Sequence, residues 1–246
     1  MINRVYTGSN KSVFAAGDLH GDYKSFRSIL NIYNKNRKNS MLIFLGDYAD
    51  RGSKGVEIIT DLSKLLDARD DIIALKGNHE IYIDGKPSFY PHNLVYEAEE
   101  KYGSWKSFYN DVMLNFLDRL YIAAVMNNVL FVHAGIASKI KTPDDLMKPA
   151  NEQDLLWSDP SYLTGEALNQ RGAGVLFGKD ISGNVLSSLG LKMIVRSHEP
   201  EKAENGPYAE HDGKVLTINS CGLYGKPFLL KIDTGSLKYK PFFLND

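Results

Sequence analysis

Three short apolar runs near the start of the chain each end in a glycine followed by a polar side chain. Residues 12–16 lead into Gly17-Asp18, residues 41–45 into Gly46-Asp47, and residues 72–75 into Lys76-Gly77-Asn78. Between the runs, Phe26, Ile29, Leu30 and Tyr33 recur at helical spacing, and so do Val56, Ile59, Leu62 and Leu66. Alternating strands and helices require right-handed crossovers, so this pattern predicts an α/β fold with a largely parallel sheet. Ligands in such sheets gather outside the carboxyl ends of the strands, where all three polar residues fall.

Further along, the periodicity predicts a longer helix over 96–120 that buries Trp105, Phe108, Val112, Phe116 and Leu120 on one face. Residues 121–125 and 129–132 read as paired strands around Met126-Asn127-Asn128, the second running straight into His133. Thr142-Pro143-Asp144-Asp145 has the capping residue, first-turn proline and acids of a helix start. A helix over 180–190 and a strand over 193–195 lead to Arg196-Ser197-His198. Antiparallel strands over 215–218, 228–232 and 237–239 follow. The stretch 138–178 is loop-rich and shows no domain boundary, so a single domain over 1–246 is expected.

The bulk numbers exclude several classes. With 246 residues, 43% of them hydrophobic and 24% charged, the composition is that of a soluble globular protein with a sizeable core. A net charge of -1 argues against nucleic acid as a constitutive partner. No apolar run approaches membrane-spanning length, and the polar residues 1–10 do not form a signal peptide, so no membrane association is expected. The lone Cys221 excludes an intrachain disulfide, fits a cytoplasmic protein, and reads as a packed small residue.

A dinuclear hydrolytic centre needs an anionic oxygen between its metals, with oxygen and neutral imidazole ligands on either side. Asp18 and His20 sit on one tight turn, and Asp47 at the next strand end is the natural bridge. Asn78 supplies a carbonyl oxygen, while His133 and His198 end two later strands. Singly, each has a plainer explanation as a turn, a helix cap or a satisfied buried histidine. Four of the 6 histidines nevertheless fall at strand ends, and that joint placement favours metal binding. His92 and His211 lie in polar loops and read as solvated.

Gly17-Asp-Leu-His-Gly21, Gly46-Asp-Tyr-Ala-Asp-Arg-Gly52 and Gly77-Asn-His-Glu80 resemble the three signatures of the phosphoprotein phosphatase family, within the calcineurin-like metallophosphoesterases. The resemblance continues through 102–108, 155–160, 171–178 and 196–198, in the family's order. It implies a central β-sandwich flanked by helices, and dephosphorylation of phosphoserine or phosphothreonine in proteins by a metal-bridging hydroxide. It also implies two divalent ions, manganese expected with iron or zinc as alternatives. Asp18 and His20 would hold one, Asn78, His133 and His198 the other, with Asp47 between them. His79 matches the general acid and Asp50 its partner, Arg51 and Arg171 match the arginines that grip phosphate, and Asn78 also lies against substrate. Phosphoproteins or phosphopeptides are the implied partners.

The sequence departs from that family in places. Ser220 stands where relatives carry a tyrosine, with Tyr224 nearby as a stand-in, and residues 82–93 are expected as a surface loop bordering the cleft. Two other readings stay open: hydrolysis of small phosphoesters or dinucleoside polyphosphates, and an inactive scaffold with the same fold. The second loses ground because every ligand, His79 and both arginines are retained.

Overall fold

The computed structural model describes residues 3–244. Two sheets face one another. The first has five strands in the order Tyr239–Phe243, Phe228–Asp233, Ser12–Ala16, Ser40–Phe44, Ile72–Ala74. Its last three are mutually parallel, as the strand–helix alternation requires, and Phe228–Asp233 joins antiparallel. The second sheet orders Val5–Gly8, Ala123–Met126, Val129–Val132, Met193–Arg196, Val215–Thr217 and Tyr208–Glu210.

Side-chain alternation explains why the strands read as unbroken apolar runs. Val13, Ala15, Ile43 and Leu45 point between the sheets onto Phe131, Val195 and Leu216. Their neighbours Phe14, Ala16, Leu42 and Phe44 point outward, under the helices Tyr23–Asn36 and Gly55–Ala68. Both faces are covered, so both must be apolar. The helices Glu152–Trp157 and Lys179–Leu189 cover the outer face of the second sheet through Leu155, Leu156, Ile181 and Val185. The sheets are tied at one edge, where Lys76 N donates to Tyr121 O at 2.8 Å and Tyr121 N to Ala74 O at 3.0 Å.

Some expectations change. The helix expected over 96–120 is interrupted: Leu94–Tyr102 ends at Gly103 with φ 84°, and Ser104 caps a new start. One face still buries Phe108, Phe116 and Leu120, so the periodicity survived the break. The start at Thr142 gives only the 3₁₀ turn Pro143–Met147, because Pro149 holds Lys148 extended, at ψ 127°. The last strand lies at Tyr239–Phe243, since Leu237 occupies the preceding turn with φ 62°. Within 138–178, Asp159–Pro160, Glu166–Leu168 and Val175–Phe177 form a small sheet of their own. His211 is buried rather than solvated: Nε2 donates to Ser161 O at 2.9 Å and Nδ1 accepts from Ser182 Oγ at 2.5 Å. Its polar sequence neighbours conceal that this turn folds onto a helix. His92 is half-buried.

Candidate active site

The loops after Ser12–Ala16 and Ser40–Phe44 interlock through their backbones. Leu19 N and His20 N both donate to Asp47 O, at 3.0 and 2.9 Å. The third loop closes on them so tightly that a Cβ on Gly77 would lie 2.2 Å from Asp47 Oδ1. Glu80 ties the two loops further, its carboxylate accepting from Asp47 N, Tyr48 N and Gly77 N at 2.9, 3.1 and 2.9 Å. Such interlocking holds backbone that would otherwise relax. His20, Asp47, Asp50, Arg51 and His198 all adopt left-handed conformations, with φ of 43°, 56°, 68°, 66° and 69°. Non-glycine residues in that region carry strain, which persists only where surrounding contacts over-determine it.

All six sequence-derived ligand candidates come together and are buried: Asp18, His20, Asp47, Asn78, His133 and His198. On one side, His133 Nε2, His198 Nδ1 and Asn78 Oδ1 converge, at 2.9 Å for each histidine nitrogen to the amide oxygen and 3.1 Å between the nitrogens. His133 Nδ1 donates to Leu45 O at 2.9 Å, which leaves Nε2 as a lone pair. Burial, reinforced by the guanidinium groups of Arg196 and Arg171, pushes the pKa of His198 well down, so its imidazole is neutral. Two imidazole nitrogens and an amide oxygen therefore meet at one point, a donor set that fits a divalent cation. Asp47 Oδ1 completes this side, 3.5 Å from His133 Nε2.

The other side repeats the device. His20 Nδ1 donates to Ala49 O at 3.0 Å, and its free Nε2 faces Asp47 Oδ2 at 3.5 Å and Asp18 Oδ2 at 3.8 Å. Burial lowers the pKa of His20 against the opposing pull of Asp47 and Asp18. Burial alone would raise the pKa of Asp47, but His133, His79 and His20 bring it down to about 2. The donors present thus fit two divalent ions sharing Asp47.

His79 also stands close, with Nε2 4.0 Å from Asp47 Oδ2. It differs from His20 and His198 in its electrostatics. Burial disfavours its charge, yet Asp47, Asp50 and Glu80 together raise its pKa, the opposite of the shift at His20 and His198. Its Nδ1 donates to Asp50 Oδ2 at 2.8 Å.

These groups floor a cleft of about 980 Å³ whose walls include Arg51, Arg171, Trp157 and Tyr224. Arg171 is steered by Asp159, with Nε 3.0 Å from Oδ2, and the other carboxylate oxygen of Asp159 holds the fully buried Arg196 at 2.8 Å. Tyr224 leans over His20 at 5.9 Å between rings, and the guanidinium of Arg51 lies 6.0 Å from the Tyr224 ring centre. Ser220, by contrast, lies outside the cleft lining and fully buried; its Oγ accepts from Gly17 N at 2.9 Å and donates to Phe228 O at 2.6 Å. Segment 82–93 does border the cleft, as a hairpin whose strands Tyr82–Ile83 and Lys86–Pro87 pair antiparallel. Sequence reasoning missed Asp159 and Phe89 as individuals; neither belongs to a periodic pattern or a ligand-like spacing.

Residues 11–202 match the calcineurin-like phosphoesterase family. A probable serine/threonine-protein phosphatase of Encephalitozoon cuniculi is 35% identical over 241 residues, covering 90% of this chain and 49% of the relative. Serine/threonine-protein phosphatase 5 of Arabidopsis thaliana is 31% identical over 226 residues, covering 87% of this chain and 40% of the relative. The chain therefore spans half or less of these relatives' lengths. A solved serine/threonine phosphatase from Saccharomyces cerevisiae superposes with a TM-score of 0.78 at 24% identity, covering 99% of this chain and 84% of that one. A putative diadenosine tetraphosphatase gives 0.57 at 14% identity, with full coverage of both chains. From the buried donor clusters, the sandwich that carries them and the extent of the match, this chain belongs to the calcineurin-like phosphoesterase family.

Proposed function

We propose that the chain is a serine/threonine protein phosphatase acting on phosphoproteins or phosphopeptides with two divalent ions. The observation carrying this reading is the placement of His79, its Nδ1 2.8 Å from Asp50 Oδ2, among the buried histidine and carboxylate donors gathered around Asp47. Asp18, His20 and Asp47 would hold one ion, and Asp47, Asn78, His133 and His198 the other. Manganese, iron and zinc all suit such mixed donors. Ions held there would activate water for in-line attack on phosphorus and neutralise charge on the phosphoryl oxygens.

The remaining steps belong to the chain's own residues. Arg51 and Arg171 present planar forks that match phosphate oxygens and orient the ester. As the P–O ester bond breaks, His79 Nε2 delivers a proton to the departing serine or threonine oxygen, which would otherwise leave as a poor alkoxide. Asp50 favours the charged imidazole and fixes its orientation through Nδ1. Cys221 is no nucleophile, since burial pushes its thiol up to about 12.

Hydrolysis of dinucleoside polyphosphates is the competing reading, favoured only by the likeness in fold to the putative diadenosine tetraphosphatase. Metal analysis together with kinetics on a phosphoserine peptide and on diadenosine tetraphosphate separates the two. A kcat/KM far higher for the nucleotide would overturn the protein phosphatase reading.

A further inference from the structure

A residue from the 82–93 hairpin packs against His79, as His20 also does. Phe89 packs on the imidazole with ring centres 4.4 Å apart at 51°, while the His20 ring meets His79 edge-on at 4.9 Å. Phe89 lies in the cleft wall yet is only 8% exposed.

The hairpin that presents Phe89 is anchored at several points. Asp84 and Gly85 turn it with φ of 49° and 75°, as a two-residue hairpin turn requires. The Tyr82 ring stacks on Trp105 at 5.7 Å and 27°, and Trp105 Nε1 donates to Gly85 O at 2.8 Å. Ser88 N and Ser88 Oγ both donate to Ile81 O at 3.0 Å. Tyr82 in turn meets Phe89 edge-on at 5.9 Å and 90°. A continuous line of rings therefore runs from the helix Trp105–Phe108 to the imidazole.

A single hydrogen bond at Nδ1 does not fix a histidine ring, because its outer torsion is broad and roughly two-fold. The close packing of Phe89 restricts that freedom and, with Nδ1 on Asp50, holds the imidazole at the cleft lining. We infer that Phe89 is a positioning residue for His79: it holds the imidazole in its proton-donating orientation through the 82–93 hairpin. This rests on the reading of His79 as the general acid.

The test compares Phe89→Ala and Phe89→Tyr in the full, metal-loaded chain on a phosphoserine peptide and on p-nitrophenyl phosphate. Phe89→Ala is expected to lower kcat on the peptide about tenfold to a hundredfold, within the range of general-acid catalysis. The loss on the aryl ester, whose leaving group needs no proton, is several-fold smaller, KM changes less than about twofold, and Phe89→Tyr restores turnover. Proton–nitrogen correlation spectra of the imidazoles give a readout independent of turnover: the Nδ1–H signal of His79 broadens or vanishes in Phe89→Ala and persists in Phe89→Tyr. If the alanine variant does not fold, Phe89→Leu carries the same comparison, keeping apolar bulk without a planar face. Equal losses on both esters, or an unchanged His79 signal, overturn the inference. A wild-type chain inert toward every phosphoserine peptide would instead sink the proposed function, and the spectra would still decide the role of Phe89.

Discussion

Asp50 divides its carboxylate between two tasks: Oδ2 accepts from His79 Nδ1 at 2.8 Å, and Oδ1 accepts from the backbone N–H groups of Asn93 and Leu94 at 2.7 and 2.8 Å. Those N–H groups open the helix Leu94–Tyr102, where unpaired donors favour an anion. Burial works against the charge on Asp50, but His79 and these backbone donors outweigh it and lower its pKa. The orientation of His79 is therefore inherited from a helix end in the neighbouring segment.

His79→Asn removes the proton donor and leaves the proposed ligand set intact. Bound metal, read by elemental analysis, should stay near the wild-type level. Turnover on alkyl phosphates should fall about 10²–10⁴-fold, and much less on aryl phosphates. An equal loss on both would argue against the general-acid role.

Asp159 links the exposed Arg171 to the buried Arg196. Asp159→Asn leaves Arg196 with Glu199 and the carbonyl of Ala134 as partners and should cost about 3 kcal/mol of stability in urea unfolding. Arg171→Ala should raise KM while leaving the unfolding midpoint close to wild type, because that side chain is 40% exposed. A large midpoint loss in Arg171→Ala would show that the pair acts mainly in folding.

Ser220 bridges the first site loop to the strand Phe228–Asp233. Ser220→Ala strands the N–H of Gly17 in a dry environment, and chemical unfolding should register a loss of about 1–3 kcal/mol. Ser220→Tyr should lose at least as much, since the side chain at 220 is fully buried and a phenol would overpack it. A stable, fully active Ser220→Tyr would show that the bridge is dispensable.

Alkali should expose two buried acids. The folded state pushes the Cys221 thiol from its ordinary value of 9.0 up to about 12, and the Tyr33 phenol from 10.0 up to about 12, by burial in each case. Both groups then ionise more easily in the unfolded chain, so their stabilising contribution is complete below pH 9 and is lost as pH rises toward 12. A thiol reagent at pH 8 should leave Cys221 unmodified until the chain unfolds. Rapid labelling of the native protein would contradict this.

Much of the site was legible because it lies where chain geometry and chemistry coincide. Asp18, Asp47 and Asn78 follow strands whose apolar runs are unmistakable, and His133 and His198 end two more. The break at Gly103 was hidden because the apolar spacing runs on from Trp105 after it. His211 was misread because Glu210 and Asp212 give its turn a solvated composition, while its burial depends on residues 50 and 29 positions away. Phe89 was invisible for a similar reason. An aromatic residue in a loop acquires meaning only from the ring that it lies against.

The left-handed residues His20, Asp47, Asp50, Arg51 and His198 also forecast how this chain would respond to directed evolution. Each occupies a conformation in which glycine is the relaxed occupant, and such strain amounts to on the order of 1–3 kcal/mol per residue. A screen that rewards heat tolerance alone would draw replacements to these five positions, exchanging turnover for robustness. Libraries aimed at durable variants should hold them constant and diversify the outer helices instead.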